Sequence, residues 1–222
     1  MPYFTSDSFA FLRELRANNN REWFAANKHR YESDVRDPAL RFINDFQPRL
    51  ARIAPRLVAD PRPVGGSMFR IYRDTRFARD KSPYKTHVGI HFFHERAKAA
   101  ASVPGFYLHL DPDQCFAAAG IWHPDSPSLA KVREAIAKGP PDWKAIHRSK
   151  LPIEGATLKR PPKGYAADHP FIDDLKRTDF VTSTRLSEKE VCSKNFMSHF
   201  AAACRKMTPL VRFVAQSLRL AW

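Results

Sequence analysis

Between positions 84 and 94 the spacing of the hydrophobic residues changes from every third or fourth position to every second position. The even positions carry Tyr84, Thr86, Val88, Ile90, Phe92 and His94, and the odd positions include Lys85, His87, Gly89 and His91. Successive side chains of a β-strand point to opposite faces of a sheet, so this alternation predicts a strand. Because helical spacing precedes this strand, the chain is neither all-α nor all-β.

The region before this strand has the spacing of helices. Apolar residues recur three or four positions apart at Leu40, Ile43, Phe46, Leu50, Ile53 and Leu57. Asp37 stands directly before Pro38, which predicts a capping carboxylate followed by a proline at the first helical position. Pro48 and Pro55 are expected to kink or break this helix. The pattern therefore predicts helices over residues 1–60.

Further strands are predicted at residues 67–72, 106–110, 115–122 and 180–185. Short connections favour antiparallel pairing, because parallel neighbours need a crossover of a dozen or more residues. We interpret the alanine-rich residues 97–102 as a hairpin connection. Helical spacing returns near the end of the chain, where Ser187 and Glu190 have the spacing of a capping box that opens a long helix.

The fold class that follows is α+β, with an antiparallel sheet from the central region packed by N-terminal and C-terminal helices. A length of 222 residues fits a single domain. We predict one domain over 1–222, which is helical over 1–60, mainly β over 64–123 and mainly helical over 126–222.

The composition excludes several classes of protein. Seventeen Phe, six Tyr and four Trp provide more apolar surface than a disordered chain carries. Eight Gly exclude a collagen repeat, and three Cys exclude a disulfide scaffold. An odd number of Cys without a secretory signal favours reduced thiols, so we expect a cytoplasmic protein. The apolar runs are far shorter than the roughly 20 residues of a membrane helix, so we expect no membrane partner.

Positive charge is concentrated in the segment Arg62–Lys85, which we call the basic segment. The chain has 37 Lys and Arg against 23 Asp and Glu, a formal charge of +14, and the segment holds seven basic and two acidic residues. Guanidinium groups bind carboxylate or phosphate oxygens through two parallel hydrogen bonds, and several on one loop form an anion pocket. We expect an anionic small molecule as the ligand, phosphorylated molecules included. The predicted anion-binding residues are Arg70, Arg73, Arg76, Lys81 and Lys85.

Three residues of this region are candidates for proton transfer, if a reaction occurs. Asp74 carries a carboxylate, Tyr84 a phenol at the strand entrance, and His87 ring nitrogens that titrate near neutral pH. A second interpretation is purely structural. In it, Asp74 and Asp80 hold the arginines in an ion-pair network with no catalytic role.

A third hypothesis is nucleic-acid binding through the basic segment. Aromatic and basic residues alternate there, the combination that stacks bases and neutralises phosphates. The aromatic residues are Phe69, Tyr72, Phe77 and Tyr84, and the basic ones are Arg70, Arg73, Arg76, Arg79 and Lys85. Net charge affects association and not fold, so the three hypotheses stay open on the residues alone.

Nine histidines raise the question of a metal site. His87 and His91 are four positions apart on a strand, about 13 Å at about 3.3 Å per residue, so they cannot share one ion. His109 could meet His87 across paired strands, but a carboxylate would still be needed. We therefore predict no metal and no cofactor.

The pattern Arg70-x-x-Arg73-Asp74-x-Arg76-Phe77-x-x-Asp80-Lys81-x-x-Tyr84 closely resembles the signature of domain of unknown function family 2461, found in bacteria and fungi. Similar blocks at residues 84–89, 105–110, 120–124, 161–165 and 168–170 extend the resemblance over nearly the whole chain. It implies that the basic segment is a family trait, and it implies no reaction. His123 departs from the family pattern and is given no catalytic role.

Overall fold

The structure is a computed structural model that describes residues 1–96 and 103–222. The predicted hairpin connection at 97–102 lies outside the described residues. Within the described ranges, helices accompany a five-stranded antiparallel sheet, so the α+β prediction is confirmed. The helices are α1 (Ser6–Ala17), α2 (Arg21–Ala26), α3 (Lys28–Arg30), a π-helix (Tyr31–Arg36), α4 (Asp37–Ile53), α5 (Ser126–Ala137), α6 (Pro141–Arg148), α7 (Ile172–Leu175), α8 (Glu188–Val191) and α9 (Phe196–Ser217). The strands are β1 (Leu57–Val58), β2 (Val88–His94), β3 (Gly105–Leu110), β4 (Cys115–Ile121) and β5 (Phe180–Leu186).

Each strand of the sheet pairs with the next strand in sequence, and every pairing is antiparallel. The alternation predicted for β2 separates the two faces of the sheet. Ile90, Phe92 and Leu108 are fully buried, whereas His91 and Tyr107 on the opposite face are only partly buried. The sheet therefore has one face covered by helices and one open face.

The covered face packs against α9, which in turn packs against α4. Phe200 of α9 is surrounded by aromatic rings, with centroids 5.6 Å from Phe42, 5.0 Å from Phe46 and 5.7 Å from Phe92. The three-to-four spacing of α4 thus supplies an aromatic stripe that joins the helices to β2. This aromatic cluster is the centre of the core.

The start of α4 differs from the prediction. The helix continues directly from the π-helix, so Asp37 is its first residue and no side chain caps it. The π-helix precedes Asp37 directly, so the backbone N–H groups near Asp37 lie within a continuous helical segment. They are not the unpaired N–H groups of a helix start that a capping side chain would satisfy. The helix also runs through Pro48 and ends at Ile53, before Pro55. The predicted break therefore falls only at the second proline.

The capping box of Ser187 and Glu190 is confirmed, but it opens only the four residues of α8. The long helix α9 begins separately at Phe196 and contains Pro209. None of the described helices, α9 included, combines the length and apolar character needed to cross a membrane.

The strand predicted at residues 67–72 is wrong. Among the described residues, this segment forms only the isolated bridges Met68 to Ile90 and Tyr72 to Tyr84. In the loop between Tyr72 and Tyr84, the side chains of Asp74 and Asp80 accept hydrogen bonds from the loop's own backbone N–H groups. Such local bonds compete with the backbone pairing of a β-sheet. The strand predicted to begin at Tyr84 is also shorter than expected, because β2 begins at Val88.

Candidate functional site

A groove of about 750 Å³ lies along the open face of the sheet, and we call it the sheet groove. Gly89 makes room for the Tyr107 side chain that lines this groove, because a Cβ at position 89 would lie 2.7 Å from the Tyr107 hydroxyl oxygen. The missing side chain lets Tyr107 lie across β2. Six residues that line the sheet groove are Phe69, His91, Tyr107, His109, Phe116 and Ser183.

Histidine and aromatic side chains contact one another along this groove. Tyr107 and His109 are two positions apart on β3, so they share the open face. The Tyr107 hydroxyl oxygen is 3.1 Å from Nδ1 of His109, and the His109 ring stacks on Phe116 with centroids 4.7 Å apart. The His87 ring centroid is 4.5 Å from that of His109. The expectation that these two histidines meet across paired strands is confirmed.

Burial favours the neutral form of these histidines. Desolvation lowers the pKa of His91 to about 4. Desolvation, and then the charges of His109 and Lys85, lower the pKa of His87 to about 4. The pKa of His109 is also lowered by desolvation. A neutral imidazole has one ring nitrogen free to accept, so at pH 7 the groove holds bases and not imidazolium cations.

The low pKa of His91 predicts a loss of stability in mild acid. Its folded pKa of about 4 lies below the ordinary 6.5, so the unfolded chain binds more protons between these values. The contribution of His91 to the free energy of unfolding is therefore fully present above about pH 6.5 and is lost as the pH drops toward 4. We expect His91 alone to lower the free energy of unfolding by about 1–2 kcal/mol between pH 7 and pH 5, measured by urea titration.

Two variants test this assignment. His91→Gln removes the titrating group, so its stability should fall less between pH 7 and pH 5 than that of the parent protein. His29→Gln, at an exposed position on α3, is the matched control and should keep the parental pH dependence. An unchanged pH dependence in His91→Gln would contradict the prediction.

Two of the predicted anion-binding arginines pair with acidic residues of their own loop. Arg73 Nη1 is 2.5 Å from Asp80 Oδ2, and Arg76 binds Asp74 through Nε and Nη2 at 3.0 and 2.7 Å. The bond from Arg76 lowers the pKa of Asp74 to about 2, and bonds from Ser82 and Arg73 lower the pKa of Asp80. These contacts are those of the ion-pair network considered above, and a role of the two arginines in anion binding stays a prediction.

Lys81 and Tyr84 also have partners in the fold. Lys81 Nζ donates to the backbone oxygen of Thr75 at 3.0 Å. Tyr84 is buried, and its ring stacks on Phe24 with centroids 4.1 Å apart. Its backbone exchanges two hydrogen bonds with the Asn19 side chain, and burial raises the pKa of its phenol. Tyr84 thus anchors the basic segment to the N-terminal helices.

Arg70 and Lys85 have different surroundings. Within the described part of the chain, neither side chain forms an ion pair with a carboxylate. Lys85 Nζ is 5.3 Å from the ring centroid of Phe69, which lines the sheet groove. Burial, and then the charge of Arg70, lower the pKa of Lys85. Two cations that interact therefore stand beside the groove wall, and Arg70 also lines a neighbouring cavity of about 570 Å³.

Sequence reasoning favoured a solvated strand face for Ser183 and assigned no site residue to the wall of the groove that comes from β5 and from the loop after α6. Ser183 Oγ donates to a carboxylate oxygen of Glu154 at 3.0 Å, and Glu154 forms a bridge with Val181. The buried Asp179 accepts a hydrogen bond from the backbone N–H of His123 at 2.7 Å. The alternation of side chains in the predicted strand could have indicated this wall, because it places the odd-numbered residues of β5 on one face of the sheet.

No curated protein matches the chain. The family model described as conserved hypothetical protein (DUF2461) matches residues 7–213, a range that includes the basic segment and every strand of the sheet. Since this match covers most of the chain, the protein belongs to the DUF2461 family, as the resemblance of its basic segment implied.

Proposed function

We propose that the sheet groove binds a small anionic molecule, with its charged group at Arg70 and Lys85. One observation carries the proposal: within the described ranges neither of these neighbouring cations forms an ion pair with a carboxylate, and the nearby charge of Asp74 is already held by Arg76. Two like charges side by side repel, so a bound carboxylate or phosphate would stabilise both. The planar fork of arginine and the compact charge of lysine together suit either anion.

The size and lining of the groove support a ligand with a flat apolar part. Small-molecule sites have volumes of roughly 300–1,000 Å³ and apolar walls with a few polar groups, and the sheet groove measures about 750 Å³. Phe69, Tyr107 and Phe116 offer ring faces and edges to such a body. Phosphorylated molecules are included in this class.

His87 is the candidate proton acceptor that its surroundings support. Desolvation, followed by the charges of His109 and Lys85, lowers the pKa of His87 to about 4, which favours the neutral imidazole at pH 7 and places it near the proposed anion. Asp74 is held by Arg76, and Tyr84 stacks within the core. A neutral imidazole beside the bound anion is placed to accept a hydrogen bond or a proton from another group of the same ligand, such as a hydroxyl.

Calorimetric titration with phenyl phosphate at low salt tests the proposal, because this probe has both an aromatic ring and a phosphate. We expect Arg70→Gln and Lys85→Gln each to weaken binding by about 10- to 100-fold, since hydrogen bonds to charged groups contribute about 1.5–3 kcal/mol. Phenol, which lacks the charge, should bind far more weakly than phenyl phosphate.

Arg49→Gln is the matched control, because it removes one exposed positive charge from α4. It should leave the affinity for phenyl phosphate nearly unchanged. If Arg73→Gln or Arg76→Gln weakens binding more than Arg70→Gln does, the anion binds in the loop and not in the groove. Binding that survives both Arg70→Gln and Lys85→Gln would refute the proposal.

Nucleic-acid binding is a second candidate, and the exposure of aromatic side chains in the basic segment favours it. Tyr72 is 52% exposed and Phe77 is 96% exposed, and the Arg76 guanidinium lies 5.9 Å from the Phe77 ring centroid. Binding of a single-stranded oligonucleotide that weakens steeply with salt and is lost in Phe77→Ala would establish this candidate in place of the first.

A further inference from the structure

We propose that His87, His109 and Asp111 form a site for one divalent transition-metal ion at the end of the sheet groove. Each residue offers one ligand atom, and the three atoms all lie within 4.8 Å of one another. The sequence had left one requirement open, a carboxylate beside the two histidines. The structure meets that requirement with Asp111, which reads in the sequence as the first residue of a turn.

The pairing of β2 with β3 explains why these residues meet. Val88 pairs with Leu110 at one end of the ladder. His87 directly precedes β2, and Asp111 directly follows β3. Alternation puts both on the same face as His109, which is the open face. The register of β2 and β3 thus brings together the two residues that flank these strands and His109 within β3.

Neighbouring groups already orient two of the three ligands. The Tyr107 hydroxyl contacts Nδ1 of His109, which leaves Nε2 to bind an ion. Arg16 Nη2 donates to both carboxylate oxygens of Asp111, at 2.8 and 3.0 Å. Asp111 Oδ1 also accepts from the backbone N–H of Asp113 at 2.9 Å. Each carboxylate oxygen has two lone pairs, so the described residues leave one lone pair of Oδ2 free to coordinate a metal. Outer hydrogen bonds of this kind orient the ligands of many metal sites.

The donor set indicates which ions would bind. Two imidazole nitrogens and one carboxylate oxygen suit Zn²⁺ and the neighbouring first-row divalent ions better than Mg²⁺ or Ca²⁺, which prefer oxygen ligands alone. Ligand atoms that lie about 2.0–2.1 Å from a tetrahedral ion are about 3.4 Å from one another. The three ligand atoms would therefore need to move by about 1 Å, through side-chain rotation, to coordinate one ion. Three protein ligands leave a coordination position for a molecule in the groove.

The metal proposal does not depend on anion binding at Arg70 and Lys85, although the two sites would be neighbours and an ion bound to His87 would occupy the lone pair that could otherwise accept a proton. His109 and Phe69 both line the sheet groove, and Lys85 Nζ lies over the Phe69 ring. A bound ion would therefore add a positive centre to the same groove. Because the test below uses metal ions alone, its failure would leave the anion proposal standing, and the reverse also holds.

Titration of the full chain with Co²⁺ and Zn²⁺ tests the site, with tag-free protein first treated with a chelator. We expect one equivalent to bind and Co²⁺ to develop visible absorption without a thiolate charge-transfer band. His87→Ala and Asp111→Asn should each weaken binding by at least about 100-fold, because changes in outer contacts alone lower metal affinity 10- to 100-fold. His87→Ala is the safer variant, since His87 forms no hydrogen bond with the described residues.

His199→Ala is the matched control, because it removes an exposed imidazole from α9 on the covered side of the sheet. It should bind Co²⁺ like the parent protein, and circular dichroism should show that every variant is folded. Three results would overturn the proposal. They are no absorption change at millimolar Co²⁺, full binding by His87→Ala, and a thiolate band that assigns the ion to cysteine.

Discussion

Phe200→Ala is expected to lower the free energy of unfolding by about 3–5 kcal/mol, the range for truncating a buried Phe. Phe200 is fully buried, and its ring contacts Phe42 and Phe46 of α4 and Phe92 of β2. Removing the ring leaves a cavity where two helices meet the sheet, and these elements cannot all move to fill it. Urea unfolding at pH 7 measures the loss.

Phe77→Ala is the matched control for this loss, because Phe77 is 96% exposed. The same side-chain deletion at an exposed site should change the free energy of unfolding by less than about 0.5 kcal/mol. If Phe200→Ala also costs less than about 1 kcal/mol, the aromatic cluster is not the centre of the core.

Gly120→Ala is expected to destabilise the protein by more than about 3 kcal/mol, through both strain and a clash. Gly120 has φ +122°, and a Cβ there would lie 2.0 Å from the backbone oxygen of Phe180 on β5. That oxygen belongs to a paired strand, so β4 and β5 must separate to admit the methyl group. Gly120 also lines the sheet groove, so phenyl phosphate binding should weaken together with stability.

Gly164→Ala separates the two causes. Gly164 also has a positive φ, +92°, but a Cβ there would have no atom within 4 Å. It should therefore show only the backbone strain, about 1–3 kcal/mol. Thermal unfolding of the two variants compares them, and an equal loss would mean that contact with Phe180 contributes nothing.

The sheet was predictable from the sequence where one face of a strand is buried. In β2 the even positions Val88, Ile90 and Phe92 are apolar, and a shift by one residue would expose all three, so pattern and register agree. The segment 67–72 has the same kind of composition, but its pairing depends on the neighbouring loop. That loop satisfies its backbone with the side chains of Asp74 and Asp80, which a pattern of apolar residues does not register.

The site was predictable only in part, because its residues come from separate elements. Local density of charge pointed to the basic segment, yet the structure pairs Arg73 and Arg76 with acids of the same loop. Among the described residues, Arg73 and Arg76 form ion pairs and Arg70 does not, and this difference depends on which side chains the fold brings next to each arginine. Asp111 lies beside the two histidines because of the register in which β2 pairs with β3. That register cannot be derived from the sequence until the two strands are known to pair.

The order of the strands also has a consequence for how the protein folds. Strands β3 and β4 are joined by a short turn, but β5 pairs with β4 only after residues 122–179, which contain α5, α6 and α7. Loop closure over such a distance is entropically costly, so this pairing is expected to form late. During synthesis on a ribosome, β4 would emerge with an unpaired edge that β5 covers only later. The wall of the sheet groove that carries Ser183 is therefore the last to be assembled, and binding competence would mark the completion of folding.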